Sequence, residues 1–243
     1  MQFLATTKMA DVIHHNYLLL SVLNRFNVHL GFGDKTIEEV CSEQNVNVDF
    51  FLEIINSFHD QDYFPKSHLQ AFPIKLIIDY IKKSHSYYLD YKIPQIERMI
   101  HALTEDATTS KKQLELLEKF FSEYKLELIT HIQDEENRVY PYVLAIDNAL
   151  QSGNIEASHF QMISQNSINF FADEHNNMED KLFDLKNIII KYIPPASNYT
   201  LTNSLLIELF RLERDLNDHA RIEDKILVPK VQQVENEILK LKV

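Results

Sequence analysis

Apolar residues recur at spacings of three and four positions along most of the chain, which is the period of an amphipathic α-helix. No segment shows the alternation of apolar and polar residues that predicts a half-buried β-strand. Gly153, and later Pro194 with Pro195, interrupt the helical pattern, because glycine and proline commonly end helices. Short connections between long helices favour an up-down four-helix bundle, so the predicted fold class is all-α. The four predicted long segments are 73–103, 110–150, 155–193 and 197–243.

A shorter helical region precedes this predicted bundle. Residues 6–26 read as one continuous amphipathic helix, and residues 45–58 read as another. Between them, Thr36 and Glu39 have the spacing of a capping box, in which each side chain satisfies a free backbone N–H at a helix start. The stretch that contains Pro65 and Pro73 reads as a linker. We therefore predict a small N-terminal helical domain at 1–64 and a four-helix bundle at 73–243.

The composition narrows the range of partners. The 243 residues carry a formal net charge of −12, and binding to nucleic acid or to an anionic membrane needs clustered positive charge instead. No apolar run approaches the roughly 20 residues that span a bilayer, and the N-terminus lacks the basic start and long apolar run of a signal peptide. The single cysteine, Cys41, excludes an intramolecular disulfide and a cysteine-ligated cluster. A soluble cytoplasmic protein with no nucleic-acid or membrane partner is the expectation.

A short motif occurs twice, as HIQDEENRVYP at 131–141 and as HARIEDKILVP at 219–229. In each copy a histidine is followed by glutamate at the fourth position, a second acidic residue at the fifth and proline at the tenth. Histidine and glutamate four residues apart lie on one face of a helix, so both can reach one metal ion. The same His-x-x-x-Glu spacing begins at His101 and His175, but without the proline at the tenth position.

The two motifs belong to a longer duplication. Each lies in the second helix of a predicted helical pair, and the first helix of each pair carries its own histidine. In an up-down bundle these positions can meet at one depth, which gives four imidazoles and two carboxylates. Such a nitrogen and oxygen donor set is typical of non-haem iron, and a carboxylate can span two metal ions about 3.5–4 Å apart. The predicted metal ligands are His85, His131, Glu135, His175, His219 and Glu223.

The alternative is that these six residues are ordinary polar positions on solvated helix faces. Nearby aromatic residues favour the metal site over this alternative, because aromatic rings can shield a metal from bulk water. The aromatic residues expected in that region are Tyr87, Tyr88, Phe170, Phe171 and Phe183.

The order His, His-x-x-x-Glu, His, His-x-x-x-Glu, with a proline after each motif, resembles the hemerythrin-like HHE cation-binding domain. Within that group the chain looks like the di-iron proteins of the RIC (repair of iron centres) family over residues 73 to 240. The resemblance implies a hemerythrin-like bundle with two iron ions, bridged by Glu135 and Glu223. It also implies that His85, His131, His175 and His219 are the terminal ligands.

The N-terminal region is similar to the small helical domain of the same family, in which a turn carries a pair of cysteines and a glycine. Here Gly33, Lys35 and Thr36 fit that pattern, but Gly31 and Phe32 stand about where the cysteines would be. A repair role that needs this thiol pair is therefore in question, whereas the predicted di-iron site does not depend on it.

Three functional hypotheses follow, and the sequence does not decide whether the protein turns over a substrate. The first is a non-haem di-iron protein that acts in nitrosative or oxidative stress. It would bind oxygen, nitric oxide or peroxide, or it would repair iron centres or supply iron to them. Manganese and zinc are the alternative metals. The second is a non-catalytic module that binds or senses oxygen, nitric oxide or iron and contacts a protein partner through its N-terminal helices. The third is a metal-sensing regulator, because the pattern of residues 36–56 is compatible with a helix-turn-helix. That segment carries no basic patch, which disfavours DNA binding.

Overall fold

The computed structural model describes residues 2–105, 111–172, 178–193 and 198–241. Within these residues the regular structure is helical, and the sole β-type pairing is an isolated bridge between Lys8 and Thr36. The predicted all-α fold class is therefore confirmed. The described part of the chain has no helix with the length and apolarity needed to cross a membrane. The α-helices are Met9–His15 (α1), Leu19–Arg25 (α2), Ile37–Glu43 (α3), Val48–His59 (α4), Lys66–Ala71 (α5), Ile74–Ser86 (α6), Ile93–Glu105 (α7), Lys111–Asp134 (α8), Tyr140–Ser152 (α9), Ala157–Asn166 (α10), Ile168–Ala172 (α11), Met178–Tyr192 (α12), Tyr199–Ile222 (α13) and Val228–Lys240 (α14).

Among the described residues, three π turns interrupt the long helices, each a short stretch of wider winding in which hydrogen bonds span five residues instead of four. They are Tyr87–Lys92 (π1), Glu135–Val139 (π2) and Glu223–Leu227 (π3). Each π turn runs without a gap from one α-helix into the next, so that α6 continues into α7, α8 into α9 and α13 into α14. Three of the four predicted long segments therefore contain an unbroken helical path, with a π turn that the apolar pattern does not predict.

The remaining long segment is not one helix. Between α10 and α11 the backbone of Ser167 is extended, with φ −51° and ψ 140°, and the Ser167 hydroxyl accepts the backbone N–H of Asn169 at 3.4 Å. Serine competes for nearby backbone groups in this way and favours helix ends over helix interiors. The interruptions predicted at Pro194 and Pro195 lie outside the described residues.

The chain folds into two compact units. The first comprises Met1–Tyr87 together with Arg221–Lys230, and the second comprises Tyr88–Ala220 together with Val231–Val243. The divisions between these units fall within π1, α13 and α14, not in loops.

The start of the first unit differs from the predicted single helix at 6–26. The backbone of Asn16 is extended, with φ −152°, and separates α1 from α2. The Asn16 side chain accepts the backbone N–H of Leu18 at 3.1 Å, which is the local turn that asparagine makes in preference to a continued helix. The predicted capping box of Thr36 and Glu39 is present at the start of α3. The predicted linker contains the short helix α5, whose Leu69 is buried.

Aromatic packing fixes α6 within the first unit. Phe26 packs against Phe50, Phe51 and Tyr80, with ring centroids 5.0–6.0 Å apart. Close aromatic pairs of this kind contribute about 0.5–1.5 kcal/mol each beyond the burial of their area. Because Tyr80 lies on α6, this cluster holds the helix that carries His85 one and a half turns later.

The same unit contains a residue range from the far end of the sequence. Arg221 donates a hydrogen bond to the backbone carbonyl of Gln61 at 3.1 Å, and Lys230 donates one to the carbonyl of Gln70 at 2.7 Å. The cationic groups of Arg221 and Lys225 lie 4.8 and 5.7 Å from the ring centre of Phe64. Residues 61–70 thus pack along π3 and both of its flanks.

The second unit contains buried ion pairs. α8 packs against both α7 and α12, and Lys92 donates a hydrogen bond to the carboxylate of Glu208, with both residues buried. Arg211 also donates to Glu208, at 2.6 Å. Lys186, likewise buried, pairs with Glu213. Such pairs offset the cost of removing each charge from water.

The Glu208 pair predicts a stability change in acid. Burial raises the pKa of Glu208, but the hydrogen bond and charge of Lys92, with a contribution from Arg211, outweigh it and lower the pKa below its ordinary 4.5. A lowered folded-state pKa stabilises the protein above the unfolded value, and this contribution is lost as the pH falls through the folded value. Urea unfolding of metal-free protein should therefore show Glu208→Gln to be destabilised at pH 7, with the gap to wild type closing as the pH falls below the ordinary pKa of 4.5. A gap that is independent of pH would contradict this.

Candidate metal centre

Three buried side chains form a cluster of metal-binding groups: His85, His219 and Glu223. One ligand atom from each lies within 4.8 Å of the ligand atoms of the other two. The exposed fractions of His85, His219 and Glu223 are 1%, 7% and 2%, respectively. Among the described residues, these three are the one group of at least three histidine, cysteine, aspartate or glutamate side chains that lie close enough together to hold a metal ion.

The helices place these residues in a simple way. His85 lies one residue before the end of α6, and Glu223 is the first residue of π3. Both belong to the first compact unit, in which α6 and π3 are in contact. His219 lies one helical turn before Glu223 on the same continuous helical path, so the two side chains share a face.

Tyr88 supports the His219 end of the cluster. Its ring meets the His219 imidazole edge to face, with centroids 5.6 Å apart and an interplanar angle of 82°. Its hydroxyl donates a hydrogen bond to Oδ1 of Asp215 at 2.7 Å. Because Asp215 lies one turn before His219 on α13, Tyr88 is held at its ring and at its hydroxyl by the same helix. Metal-binding histidines depend on such neighbours for their orientation.

The other copy of the motif forms a second pair. Nε2 of His131 lies 3.0 Å from Oε1 of Glu135, and the Glu135 side chain is 1% exposed. The His131 ring stacks on that of Phe171, with centroids 6.4 Å apart and planes 7° from parallel. Glu135 is the first residue of π2, just as Glu223 is the first residue of π3. The two motifs thus share their backbone structure as well as their residues.

The remaining predicted ligand, His175, lies outside the described residues. The structure thus brings together His85, His219 and Glu223 as a cluster, and His131 with Glu135 as a pair. Joining all six into one di-iron site stays a prediction.

Burial separates these residues from the same spacing elsewhere. His101 and Glu105 are also four residues apart on a helix, and Nε2 of His101 lies 3.3 Å from Oε1 of Glu105. Their side chains, however, are 61% and 70% exposed. A bound ion there would compete with water and counterions, so His-x-x-x-Glu spacing is informative only where the helix face is buried.

Two of the five aromatic residues expected near the site lie against candidate ligands. Tyr88 and Phe171 are buried and contact His219 and His131, respectively. Phe183 is 58% exposed, so its expected role in the shield is wrong: its ring lies largely in solvent.

The donor set of the cluster fits a transition-metal ion. Two imidazoles and one carboxylate are the ligand types of non-haem iron(II) sites that keep coordination positions open. Burying a carboxylate among apolar groups costs free energy unless a partner compensates it, and a bound cation would be such a partner. The cluster can therefore hold a metal with no change in residue type.

Sulfur does not take part in this cluster. Cys41, the single cysteine of the chain, is fully buried on α3, and burial raises the pKa of its thiol to about 11. At the turn where the resembling family carries its cysteine pair, Gly31 and Gly33 have φ values of +99° and +60°. A cysteine at position 31 would be strained in that backbone, since side chains disfavour positive φ.

The state of Cys41 predicts slow reaction with thiol reagents. The reactive species is the thiolate, which is scarce near neutral pH when the pKa is about 11. Native protein treated with a disulfide reagent at pH 8 should label slowly, and protein in denaturant should label completely and fast. Rapid native labelling, followed by absorbance, would contradict this burial.

Comparison with known proteins gives one informative relative. Over 225 residues the chain is 19% identical to the iron-sulfur cluster repair protein ScdA of Staphylococcus haemolyticus (strain JCSC1435). That alignment spans 91% of this chain and 96% of the relative. No protein-family model matches the chain.

Proposed function

We propose that this chain is a non-haem di-iron protein of the hemerythrin-like type, with a role in the repair or iron supply of damaged iron centres under nitrosative or oxidative stress. The observation that carries the proposal is the buried cluster of His85, His219 and Glu223. The near full-length similarity to an iron-sulfur cluster repair protein supports the choice of iron and of the repair role.

In this proposal the four long helical segments form an antiparallel bundle at 73–243, preceded by a helical domain at 1–64. The cluster of His85, His219 and Glu223 makes one half of the metal site, and the motif that contains His131 and Glu135 makes the other. His175 completes the donor set as the counterpart of His85. The support for the second half is the equivalence of the two motifs, each with a buried glutamate at the start of a π turn.

The protein residues would bind, orient and shield the metal. The two glutamates supply the negative charge that neutral imidazoles lack, and the histidines fix the positions of the ions. Tyr88 and Phe171 limit access of water from their sides of the ring ligands. Two iron ions held in this way would supply one-electron chemistry and open coordination positions for oxygen, nitric oxide or peroxide. Because Cys41 is buried, no step in the proposal uses a thiol of this chain.

Metal analysis followed by an iron-transfer assay tests the proposal. Protein produced in iron-rich medium should contain two irons per chain, and its absorption spectrum should change on addition of nitric oxide. The iron-loaded protein should also restore a [4Fe–4S] protein that has lost one iron. Absence of bound iron would refute the metal site, whereas iron binding with a nitric oxide response but no restoration would favour the non-catalytic binding module.

The contact between Tyr88 and Asp215 predicts a measurable effect on metal binding. In Tyr88→Phe the ring edge against His219 remains, but the hydrogen bond to Asp215 is lost. Loss of such a supporting contact typically weakens metal affinity about 10–100-fold, so we expect weaker cobalt(II) binding by titration. Tyr91→Phe, an exposed tyrosine on the same π turn, is the matched control and should bind as wild type does. Equal affinity in both variants would contradict the role of Tyr88.

A further inference from the structure

Each of the three π turns in the described part of the chain ends two residues before a proline. π1 ends at Lys92 and precedes Pro94, π2 precedes Pro141, and π3 precedes Pro229. Each proline is thus the second residue of the α-helix that follows. π-helical residues make up well under about 1% of globular proteins, so the repeated pairing of a π turn with a proline calls for a physical cause.

Proline supplies that cause. It has no N–H to donate, and within an α-helix its ring clashes with the carbonyl of the residue four positions earlier. For Pro141 that residue is Asn137, and for Pro229 it is Lys225, and both lie inside the π turns. The wider winding of a π turn displaces this carbonyl from the ring. The helix can therefore continue past the proline, as α9 and α14 do.

The hydrogen bonds of the turns involve the glutamates themselves. The N–H of Tyr140, immediately before Pro141, donates to the carbonyl of Glu135, five residues back. The N–H of Val228, immediately before Pro229, donates in the same way to the carbonyl of Glu223. The backbone of each glutamate is therefore set by a π hydrogen bond from the residue next to a proline.

We propose that π2 and π3, each maintained by the proline that follows it, set the direction of the Glu135 and Glu223 carboxylates, so that Pro141 and Pro229 are positioning residues of the metal centre. This inference rests on the proposed metal-binding function. The prolines touch no metal in this account; they act through the backbone of the glutamate. The equivalent pairing of π1 with Pro94 places Tyr88 against His219.

The decisive variant converts π2 into ordinary α-helix. A π turn contains one residue more than the α-helical winding it replaces, so deletion of the exposed Asn137 together with Pro141→Ala restores α bonding and keeps the register of α9. The metal-free variant should melt within a few degrees of wild type, or higher, since it removes an exposed residue and a helix-breaking proline. Its affinity for cobalt(II) should fall at least about tenfold, the usual effect of losing support around a ligand.

Two further variants complete the experiment. Pro73→Ala, at the start of α6 and away from any π turn of the described chain, is the control and should bind cobalt(II) as wild type does. Pro141→Ala alone should give a smaller loss in the same direction, because the proline is gone while the extra residue remains. If the deletion variant fails to fold, Pro141→Ala alone tests the proposal. An unchanged cobalt(II) affinity of Pro141→Ala would then overturn it.

A crystal structure of the deletion variant separates the possible failures. Regular α-helix through 135–141 with undiminished cobalt(II) affinity would show that the π turn does not position the carboxylate. A π turn that persists in Pro141→Ala with unweakened binding would show that the proline does not maintain it. If wild-type protein binds no cobalt(II) or iron, the proposed function fails instead, and the backbone part of the inference is still judged by whether the π turn is lost with the proline.

Discussion

Replacing Glu135 and Glu223 together by alanine is expected to reduce the iron bound per chain at least about tenfold. Both carboxylates are buried at the first residue of a π turn, and they are the only anionic groups among the six proposed ligands. Without them, four neutral imidazoles would have to hold the ions with no charge to compensate. Metal analysis of protein purified from iron-rich medium measures the effect directly.

The chain offers a matched control for this experiment. Glu136→Ala with Asp224→Ala removes the same formal charge from the neighbouring positions, where Asp224 is exposed and Glu136 partly so. This control should retain its iron. The free energy of unfolding adds a second readout, since a metal that binds only the folded state stabilises it. A chelator should therefore lower the melting temperature of the control but not of the double alanine variant. Two irons retained by the variant would refute the assignment.

Glu235→Ala is expected to cost about 3–5 kcal/mol of unfolding free energy, because hydrogen bonds to a charged group are worth about 1.5–3 kcal/mol each. The Glu235 carboxylate is buried and accepts the hydroxyl of Tyr142, the backbone N–H of Ile168 at 2.8 Å and the hydroxyl of Ser167 at 3.0 Å. It thereby joins α14 to α9 and to the start of α11. Its removal leaves the buried Tyr142 hydroxyl and the buried Ile168 N–H without their acceptor.

The measurement for Glu235 is urea unfolding of metal-free protein near neutral pH. Glu237→Ala is the control, because Glu237 is an exposed glutamate two residues later in α14 and should cost less than about 0.5 kcal/mol. Glu235→Gln keeps the size and one acceptor oxygen, so it should fall between wild type and the alanine variant. Equal stability of the 235 and 237 alanine variants would show that this hydrogen-bonded junction contributes little.

The period of the apolar residues was sufficient to predict an all-α chain and the location of its long helices, because that signal is averaged over many turns. The capping box at Thr36 was predictable for a related reason: it involves two residues a single turn apart. The breaks at Asn16 and Ser167 were missed, since a single side-chain hydrogen bond to the backbone decides them. A pattern averaged over a helix does not register one such bond.

The candidate ligands were predictable from repetition and resemblance, but their surroundings were not. The sequence around His85, KKSHSYY, is polar, yet His85 is 1% exposed, because tertiary packing of α6 decides which face is covered. The π turns were missed although a signal existed: a proline falls ten residues after the histidine of each motif and nine after His85. In an otherwise helical pattern, a proline is compatible with a π turn as well as with a helix end.

The packing of residues 61–70 along π3 has a consequence for synthesis on the ribosome. The hydrogen bonds from Arg221 to Gln61 and from Lys230 to Gln70 each join residues 160 positions apart. The first compact unit is therefore incomplete until residues 221–230 have been translated. Contacts between residues far apart in the sequence form late during elongation, so the apolar surface of the N-terminal helices that these residues cover stays exposed until then. Nascent chains that end before residue 221 should consequently be more susceptible to proteases and more dependent on chaperones than the finished protein.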